Sequence, residues 1–281
     1  MMRSLWSAAS GMIAQQTNLD TIANNLSNVN TAGYKKDTAE FKSLLYQTLQ
    51  STSTNNAGEN KPVPAQVGLG TRTSAITTVF TQGNLQATDI DTYMAIEGSG
   101  FFKVRDQNGD TCYTRDGSFC LQPTADGGSM LCTSEGYPVL DQNNNTIVIP
   151  AGYKTGTITV DSEGNLFATD LNEQQVALTS TLNGQAYNQK IGVVQFNNPS
   201  GLNSVGGNRY MQSVASGAPL EETANPGLKQ SVIRHKYIEM SNVQVADEMV
   251  NMIVAQRAYE MNSKAIQASD EMLQQANNLR R

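Results

Sequence analysis

A chain of 281 residues that is 38% hydrophobic and 16% charged has room for one large or two modest domains and enough apolar mass for a core, which excludes a disordered polypeptide. Its formal net charge of -6 excludes a phosphate-binding footprint, because nucleic-acid affinity rests on clustered Lys and Arg; Arg234-His235-Lys236, Lys35-Lys36 and Arg280-Arg281 are separate small clusters that read as solvated surface. No apolar run reaches the roughly 18 residues needed to cross a bilayer, so no membrane insertion is expected.

The start, Met1-Met2-Arg3-Ser4-Leu5-Trp6, runs into Ala, Ser, Gln and Asn at helical period rather than into an apolar core segment, so no cleaved signal peptide is expected. An apolar residue then falls at every seventh position: Leu5, Met12, Leu19, Leu26. That row predicts a helix over residues 3–28, stopped where Asn28, Asn30 and Gly33 tolerate a left-handed backbone. A seam of period seven is wide enough to meet another helix and too narrow to dock on a broad core.

Asp37 with Glu40 fits a capping box, and Phe41, Leu44, Leu45, Thr48 and Leu49 fit helical spacing, so a short connecting helix is predicted near 38–49. The polar tract 51–60 reads as a flexible loop, with order imposed by neighbouring subunits as the alternative.

From about Val67 to Leu228, short β-branched or alternating runs are separated by turn signals, the rhythm of an all-β region. Asn108-Gly109 after Phe101-Phe102-Lys103-Val104 marks a hairpin. At Ser241 the helical period returns. Ser241 with Gln244 fits a second capping box, Asp247 and Glu248 suit the first turns, and Arg280-Arg281 suit the end of the macrodipole. The row Val245, Met252, Tyr259, Ile266, Leu273 predicts a helix over 243–279, about 55 Å long against about 39 Å for the first.

The expected fold class is α+β: long N- and C-terminal helices forming a coiled-coil-like layer, with an all-β middle domain between them in the chain. The expected divisions are 1–36, the N-terminal helix; 37–66, the connecting helix and polar segment; 67–228, the β-rich middle; and 229–281, a linker and the C-terminal helix.

Catalytic chemistry finds little footing. The one histidine, His235, lies between Arg234 and Lys236 and reads as surface. No phosphate loop, paired-histidine metal motif or nucleophile elbow is present in the sequence. Asp106-Gln107-Asn108-Gly109-Asp110 has the oxygens of a calcium loop, but basic Arg115 stands where the closing glutamate belongs, and the segment reads as a hairpin turn. Asp161-Ser162-Glu163-Gly164-Asn165 reads the same way.

No enzyme activity, catalytic residue, cofactor or metal is therefore expected. Cys112, Cys120 and Cys132 match no zinc spacing. Cys120 and Cys132 lie symmetrically about Asp126-Gly127 and would face each other across a hairpin, where a disulfide is one reading and buried or half-buried thiols the other. Gly33, Gly83, Gly98 and Gly100 read as turn residues rather than as points of close backbone approach.

Ala23-Asn24-Asn25-Leu26-Ser27-Asn28-Val29-Asn30-Thr31-Ala32-Gly33-Tyr34-Lys35 resembles the N-terminal signature of the bacterial flagellar basal-body rod and hook family, most closely its distal-rod members. Asn24, Asn25, Asn28, Thr31, Gly33, Tyr34 and Lys35 carry the likeness. Further similarity lies in Gln82-Gly83-Asn84-Leu85, Met94 to Phe102, Tyr113 to Phe119 and Ser134 to Val139. It returns in the C-terminal run from Ser241 through Gln256-Arg257-Ala258-Tyr259 to Ala265.

The resemblance implies a structural subunit that polymerises helically into a hollow drive shaft, carries torque from motor to hook and passes export substrates. Its implied partners are copies of itself, other rod subunits, the hook protein, the surrounding basal-body rings and the flagellar export apparatus. Its implied location is the basal body in the periplasm, reaching the outer membrane. The polar stretch after Tyr46 is similar to the segment that stiffens distal rods.

Seam side chains such as Leu19, Leu26, Met252 and Ile266 are expected to contribute about 1.5 to 3 kcal/mol each when buried on assembly. Leu26→Asp or Ile266→Asp is expected to block it. The alternatives are a proximal rod or hook subunit, or, from another class, a secreted β-rich adhesin or carbohydrate-binding module with helical oligomerisation ends and Tyr187, Tyr210 and Phe167 as its platform.

Overall fold

The computed structural model describes residues 2–50, 65–125, 127–170, 174–182, 185–223, 225 and 227–279. The polar tract 51–60, Asp126 and Arg280-Arg281 lie outside these residues. In chain order the elements begin with helix α1 (Met2–Ser27) and strands β1 (Asp37–Ser43), β2 (Tyr46–Gln50), β3 (Ala65–Gly68) and β4 (Thr71–Thr78). Next come β5 (Leu85–Ala87), β6 (Met94–Glu97), β7 (Phe101–Arg105), β8 (Thr111–Thr114), β9 (Phe119–Pro123), β10 (Ser129–Thr133) and β11 (Val148–Ile149).

They continue with β12 (Tyr153–Val160), β13 (Leu166–Asp170), β14 (Gln175–Ala177), β15 (Thr179–Leu182), β16 (Gln185–Asn188) and β17 (Val193–Gln195). The chain closes with β18 (Asn203–Gly206), β19 (Arg209–Met211), β20 (Leu220–Glu221), β21 (Val232–His235), β22 (Tyr237–Glu239) and helix α2 (Val245–Asn278). The class is α+β, two long helices at the ends of a β-rich middle.

The chain forms two compact units. The first gathers residues 1–27, 37–78 and 244–281; the second gathers 28–36 and 79–243. In the first, α1 and α2 pack antiparallel. Ser4 Oγ meets Ser269 Oγ at 3.4 Å, a side chain added at Gly11 would run into Asn262 Nδ2 at 2.8 Å, and Asn25 Nδ2 reaches Glu248 Oε2 at 3.5 Å. Each step of seven along α1 is thus matched by a step of seven back along α2. The same register sets Asn18 opposite Ala255, which is 1% exposed.

The row that closes the pair is therefore small and polar: Ser4, Gly11, Asn18 and Asn25 against Ser269, Asn262, Ala255 and Glu248. It stands one position from the predicted apolar row on α1 and three positions from the one on α2. Small residues let the two backbones approach, and Ala8, Ala14 and Ile22 supply the buried apolar flank.

The predicted helix near 38–49 is absent. Those residues form β1, antiparallel to β4 with a bulge between Glu40 and Phe41, and β2, antiparallel to β3. The residues taken for a capping box bond across the ladder instead: Thr78 Oγ1 donates to Asp37 Oδ1 at 2.7 Å and Thr77 Oγ1 donates to Glu40 Oε1 at 3.1 Å. Strand partners distant in sequence override a weak local period here.

The second capping box also fails. The residue before α2 is Gln244, extended and with no capping side chain, while Ser241 Oγ accepts from the nearby Val243 N–H at 3.2 Å. Asp247 and Glu248 do occupy the first turn.

In the second unit a six-stranded sheet of order β18-β19-β8-β7-β17-β20 lies among smaller sheets, including β11-β10-β9 and β12-β13-β14. Its main core joins Met94, Ile96, Phe102, Phe119, Leu131, Ile147 and Leu166, with Phe102 edge-on to Phe119 at 5.1 Å. A second cluster packs Phe101, Tyr113, Phe196 and Tyr210. The hairpin at Asn108-Gly109 forms as the turn chemistry predicts: Asp106 N–H donates to the Asp110 carbonyl at 2.8 Å and Gly109 takes φ 88°. Asp161 and Gly164 close a similar turn, the Gly164 N–H donating to the Asp161 carbonyl at 2.8 Å.

Candidate assembly interface

The signature tract is built to leave a helix and enter a sheet. Asn25, 1% exposed, replaces a strand partner for Asp37: its Oδ1 accepts the Asp37 N–H at 2.9 Å and its Nδ2 donates to the Asp37 carbonyl at 2.8 Å. Asn24, its neighbour, lies on the exposed side of α1. Thr31 closes the turn after α1, its N–H donating to the Asn28 carbonyl at 3.2 Å and its hydroxyl to Asn28 Oδ1 at 3.1 Å. The Tyr34 N–H then donates to the Thr31 carbonyl at 3.4 Å.

Gly33 has φ +67°, and a Cβ there would stand 2.5 Å from the Asp116 backbone nitrogen. Neither feature tolerates a side chain. We expect Gly33→Ala to destabilise the second unit by about 1 to 3 kcal/mol, the range for a strained backbone position. Denaturant titration of the full chain checks this, and a cost under about 0.5 kcal/mol would remove the argument.

Gly98, at φ +140°, also needs its backbone freedom. Gly83 and Gly100 correct the turn reading. A Cβ on Gly83 would stand 1.9 Å from the Met240 carbonyl oxygen, and one on Gly100 would stand 2.4 Å from Val193 Cγ1. These two glycines are points of close approach within the chain.

Lys35 ends in a buried cluster of charge. Its Nζ donates to Glu239 Oε1 at 2.6 Å and to the Thr81 carbonyl at 2.8 Å, with both ionic side chains 0% exposed. Glu239 Oε1 also accepts the Gly83 N–H at 2.9 Å, and its Oε2 faces Arg115 Nη1 at 3.5 Å. Arg115 also donates to the Gly98 carbonyl at 2.8 Å and stacks 4.9 Å above the Phe101 ring.

Burial pulls the Lys35 amine and the Arg115 guanidinium below their ordinary pKa values, and Glu239 pulls both back. Main-chain bonds tighten the same joint. The Gly33 N–H donates to the Glu239 carbonyl at 2.8 Å, and Asn242 accepts the Lys36 N–H at 2.8 Å while donating to the Val79 carbonyl at 2.8 Å. The tract after α1 and the tract before α2 are thus fastened within one β unit. Lys35, which reads as surface beside Lys36, is buried in the structure.

The predicted seam rows lie beside the line where α1 and α2 meet. Leu5, Met12, Leu19, Leu26, Met252 and Ile266 are half-buried, while Val245, Tyr259 and Leu273 are exposed. The most apolar free surface is elsewhere on α2, at Met249, Val250, Ile253, Val254 and Met261, which are 53 to 66% exposed, with Trp6 and Ile13 open on α1. A face of this kind on a helix wants a cover.

The adhesin platform does not exist. Tyr210 is buried in an aromatic cluster, Phe167 is half-buried in β13, and the Tyr187 hydroxyl donates to Asp141 Oδ2 at 2.5 Å. His235 is half-buried, its Nε2 2.7 Å from the Asp91 carbonyl oxygen.

Comparison with known proteins decides what this arrangement is. Residues 5–35 match the family described as flagella basal body rod protein, residues 95–168 the flagellar hook protein FlgE/F/G D1 domain, and residues 234–279 the flagellar basal body rod FlgEFG protein C-terminal family. The flagellar basal-body rod protein FlgG of Borreliella burgdorferi is 47% identical over 285 residues, covering 100% of both chains. The chain belongs to the flagellar basal-body rod protein family.

Other members extend the likeness. FlgG of Bacillus subtilis is 37% identical and FlgG of Buchnera aphidicola subsp. Acyrthosiphon pisum 41% identical, each matching 99% or more of both chains. The flagellar hook-basal body complex protein FlhP of Bacillus subtilis is 34% identical over the whole of both chains.

As a rod-family protein this chain is structural and not an enzyme. The family matches at 5–35 and 234–279 converge on the Lys35–Glu239 joint. Sequence reasoning found Lys35 but missed Glu239 and Arg115. A lysine closing a tract of small and turn residues was the local sign that a buried anion was needed.

Proposed function

We propose that the chain is a subunit of the flagellar distal rod, polymerising helically into a hollow shaft that carries torque to the hook and lets export substrates pass. Full-length similarity to proteins named FlgG supports the choice of branch. The observation that carries polymerisation is the exposed apolar face of α2. Covering five side chains that are 53 to 66% exposed would contribute on the order of 5 to 10 kcal/mol before ordering costs. Inside the chain, by contrast, the α1–α2 line is small and polar, so the larger apolar gain awaits a neighbouring copy.

In this reading α1 and α2 of successive copies form the coiled-coil-like inner layer, with Leu5, Met12, Leu19, Leu26, Val245, Met252, Tyr259, Ile266 and Leu273 at its subunit seams. The partners are other rod subunits, the hook protein, the surrounding rings and the export apparatus. The location is the periplasm up to the outer membrane. Electron microscopy of concentrated full-length protein tests the reading. Straight tubes are expected; curved tubes would favour a hook role, and a monomer at every concentration would overturn it.

A further inference from the structure

We propose that Cys120 and Cys132 are a reversible modification site, two thiols on neighbouring strands that join as a disulfide when the protein meets a disulfide oxidant. The two residues are direct partners in the β9–β10 register, and their sulfurs stand 3.9 Å apart. Leu131, next along β10, spends its N–H on the Ile147 carbonyl and accepts the Val139 N–H, both away from β9. The alternation of an antiparallel ladder then makes Cys132 and Cys120 a hydrogen-bonded pair, with Cα atoms about 5.5 Å apart, inside the roughly 4.4 to 6.8 Å that a disulfide spans.

Side-chain rotation alone can bring the sulfurs to bonding distance. In their present positions both thiols lie near main-chain oxygens, Cys120 Sγ 3.3 Å from the Thr133 carbonyl and Cys132 Sγ 3.6 Å from the Cys120 carbonyl.

The two thiols differ in access, and that fixes the order of events. β9 is the edge of its three-stranded sheet and β10 the centre, so Cys120 is exposed and Cys132 is buried. Burial, with the nearby Cys120 adding to it, pushes the Cys132 thiol up to about 11. Cys120, as thiolate, attacks one sulfur of a small disulfide, forming a mixed disulfide and releasing one thiolate. Cys132 loses its proton to solvent, attacks Cys120 Sγ and displaces the second thiolate. Two protein thiols are oxidised, and one disulfide is reduced to two thiols. An exposed bond of this kind remains open to attack by reductants, which makes the link reversible. Cys112, buried in the main core on β8, takes no part.

The test incubates full-length protein with oxidised glutathione, quenches with acid, alkylates under denaturing conditions and maps peptides without reductant. The expected result is a Cys120–Cys132 linked peptide, loss of both thiols from the alkylation count, full recovery with dithiothreitol, and Cys112 alkylated throughout. Cys132→Ser should halt at a Cys120–glutathione adduct, and Cys120→Ser should leave Cys132 unmodified until the protein is unfolded. A wild-type chain that stops at the Cys120 adduct, or that keeps both thiols free after prolonged exposure, would overturn the proposal. The wild-type map decides alone if either variant fails to fold.

Discussion

Glu239→Ala should lower the stability of the β unit by about 3 to 5 kcal/mol, the cost of leaving buried charge without its partner. At roughly 2 to 4 °C per kcal/mol for a unit of this size, its melting midpoint should fall by about 6 to 20 °C. The size follows from geometry: one carboxylate holds both Lys35 and Arg115, and all three side chains are at most 1% exposed. The Gly83 N–H would lose its acceptor as well.

Lys35→Met is the informative contrast, because it leaves Glu239 paired with Arg115 and bonded to Gly83. It should cost less, about 1 to 3 kcal/mol. Hydrogen exchange read peptide by peptide, with protection lost in β5, β6 and β22, would place the effect. Equal losses from the two variants, or a loss under about 1 kcal/mol from Glu239→Ala, would show that the charge cluster does not hold the joint.

Val254→Asp should raise the critical concentration for tube formation by about 100-fold or more, equivalent to roughly 2.7 kcal/mol per subunit, while leaving the melting curve within about 0.5 kcal/mol of wild type. Val254 is 62% exposed on α2, so the isolated chain gives up little. An assembled neighbour would have to bury the new carboxylate against apolar side chains. Leu26→Asp and Ile266→Asp are less clean tests, since both residues are half-buried beside the α1–α2 line and should lower melting as well as assembly. Sedimentation and electron microscopy across a concentration series separate the two effects. Tubes from Val254→Asp at the wild-type concentration would remove α2's outer face from the interface.

The helices at both ends were legible because their periodicity is long and unbroken, and the β7–β8 hairpin because Asn108-Gly109 demands one backbone shape. The Cys120–Cys132 facing was legible too, since a short hairpin fixes its own register. Other features depend on partners far away in sequence. Lys35 and Glu239 are 204 positions apart, and Arg115 and Glu239 are 124, so no local pattern announces them.

The strand at 37–43 looked helical for a related reason. Phe41, Leu44 and Leu45 have helical spacing, but the partners that hold them extended, Thr73 of β4 for Phe41 and Gly70 and Leu69 for the two leucines, lie about 25 to 30 residues on. The helix seam misled differently. Period seven picked out the large apolar residues, whereas the line that closes the pair is the adjacent row of Ser, Gly, Ala and Asn, whose small size and hydrogen bonds leave no hydropathy signal.

The antiparallel pairing of α1 with α2 also imposes a timetable on folding. The two helices are the first and last elements of the chain, so α1 leaves the ribosome long before its companion exists. Closing a chain segment of about 200 residues costs on the order of 5 kcal/mol in entropy. The β unit, whose last strand ends at Glu239, shortens that gap once it has folded. The nascent protein therefore pairs its two helices last, and until then α1 has strands β1 and β4 to pack against.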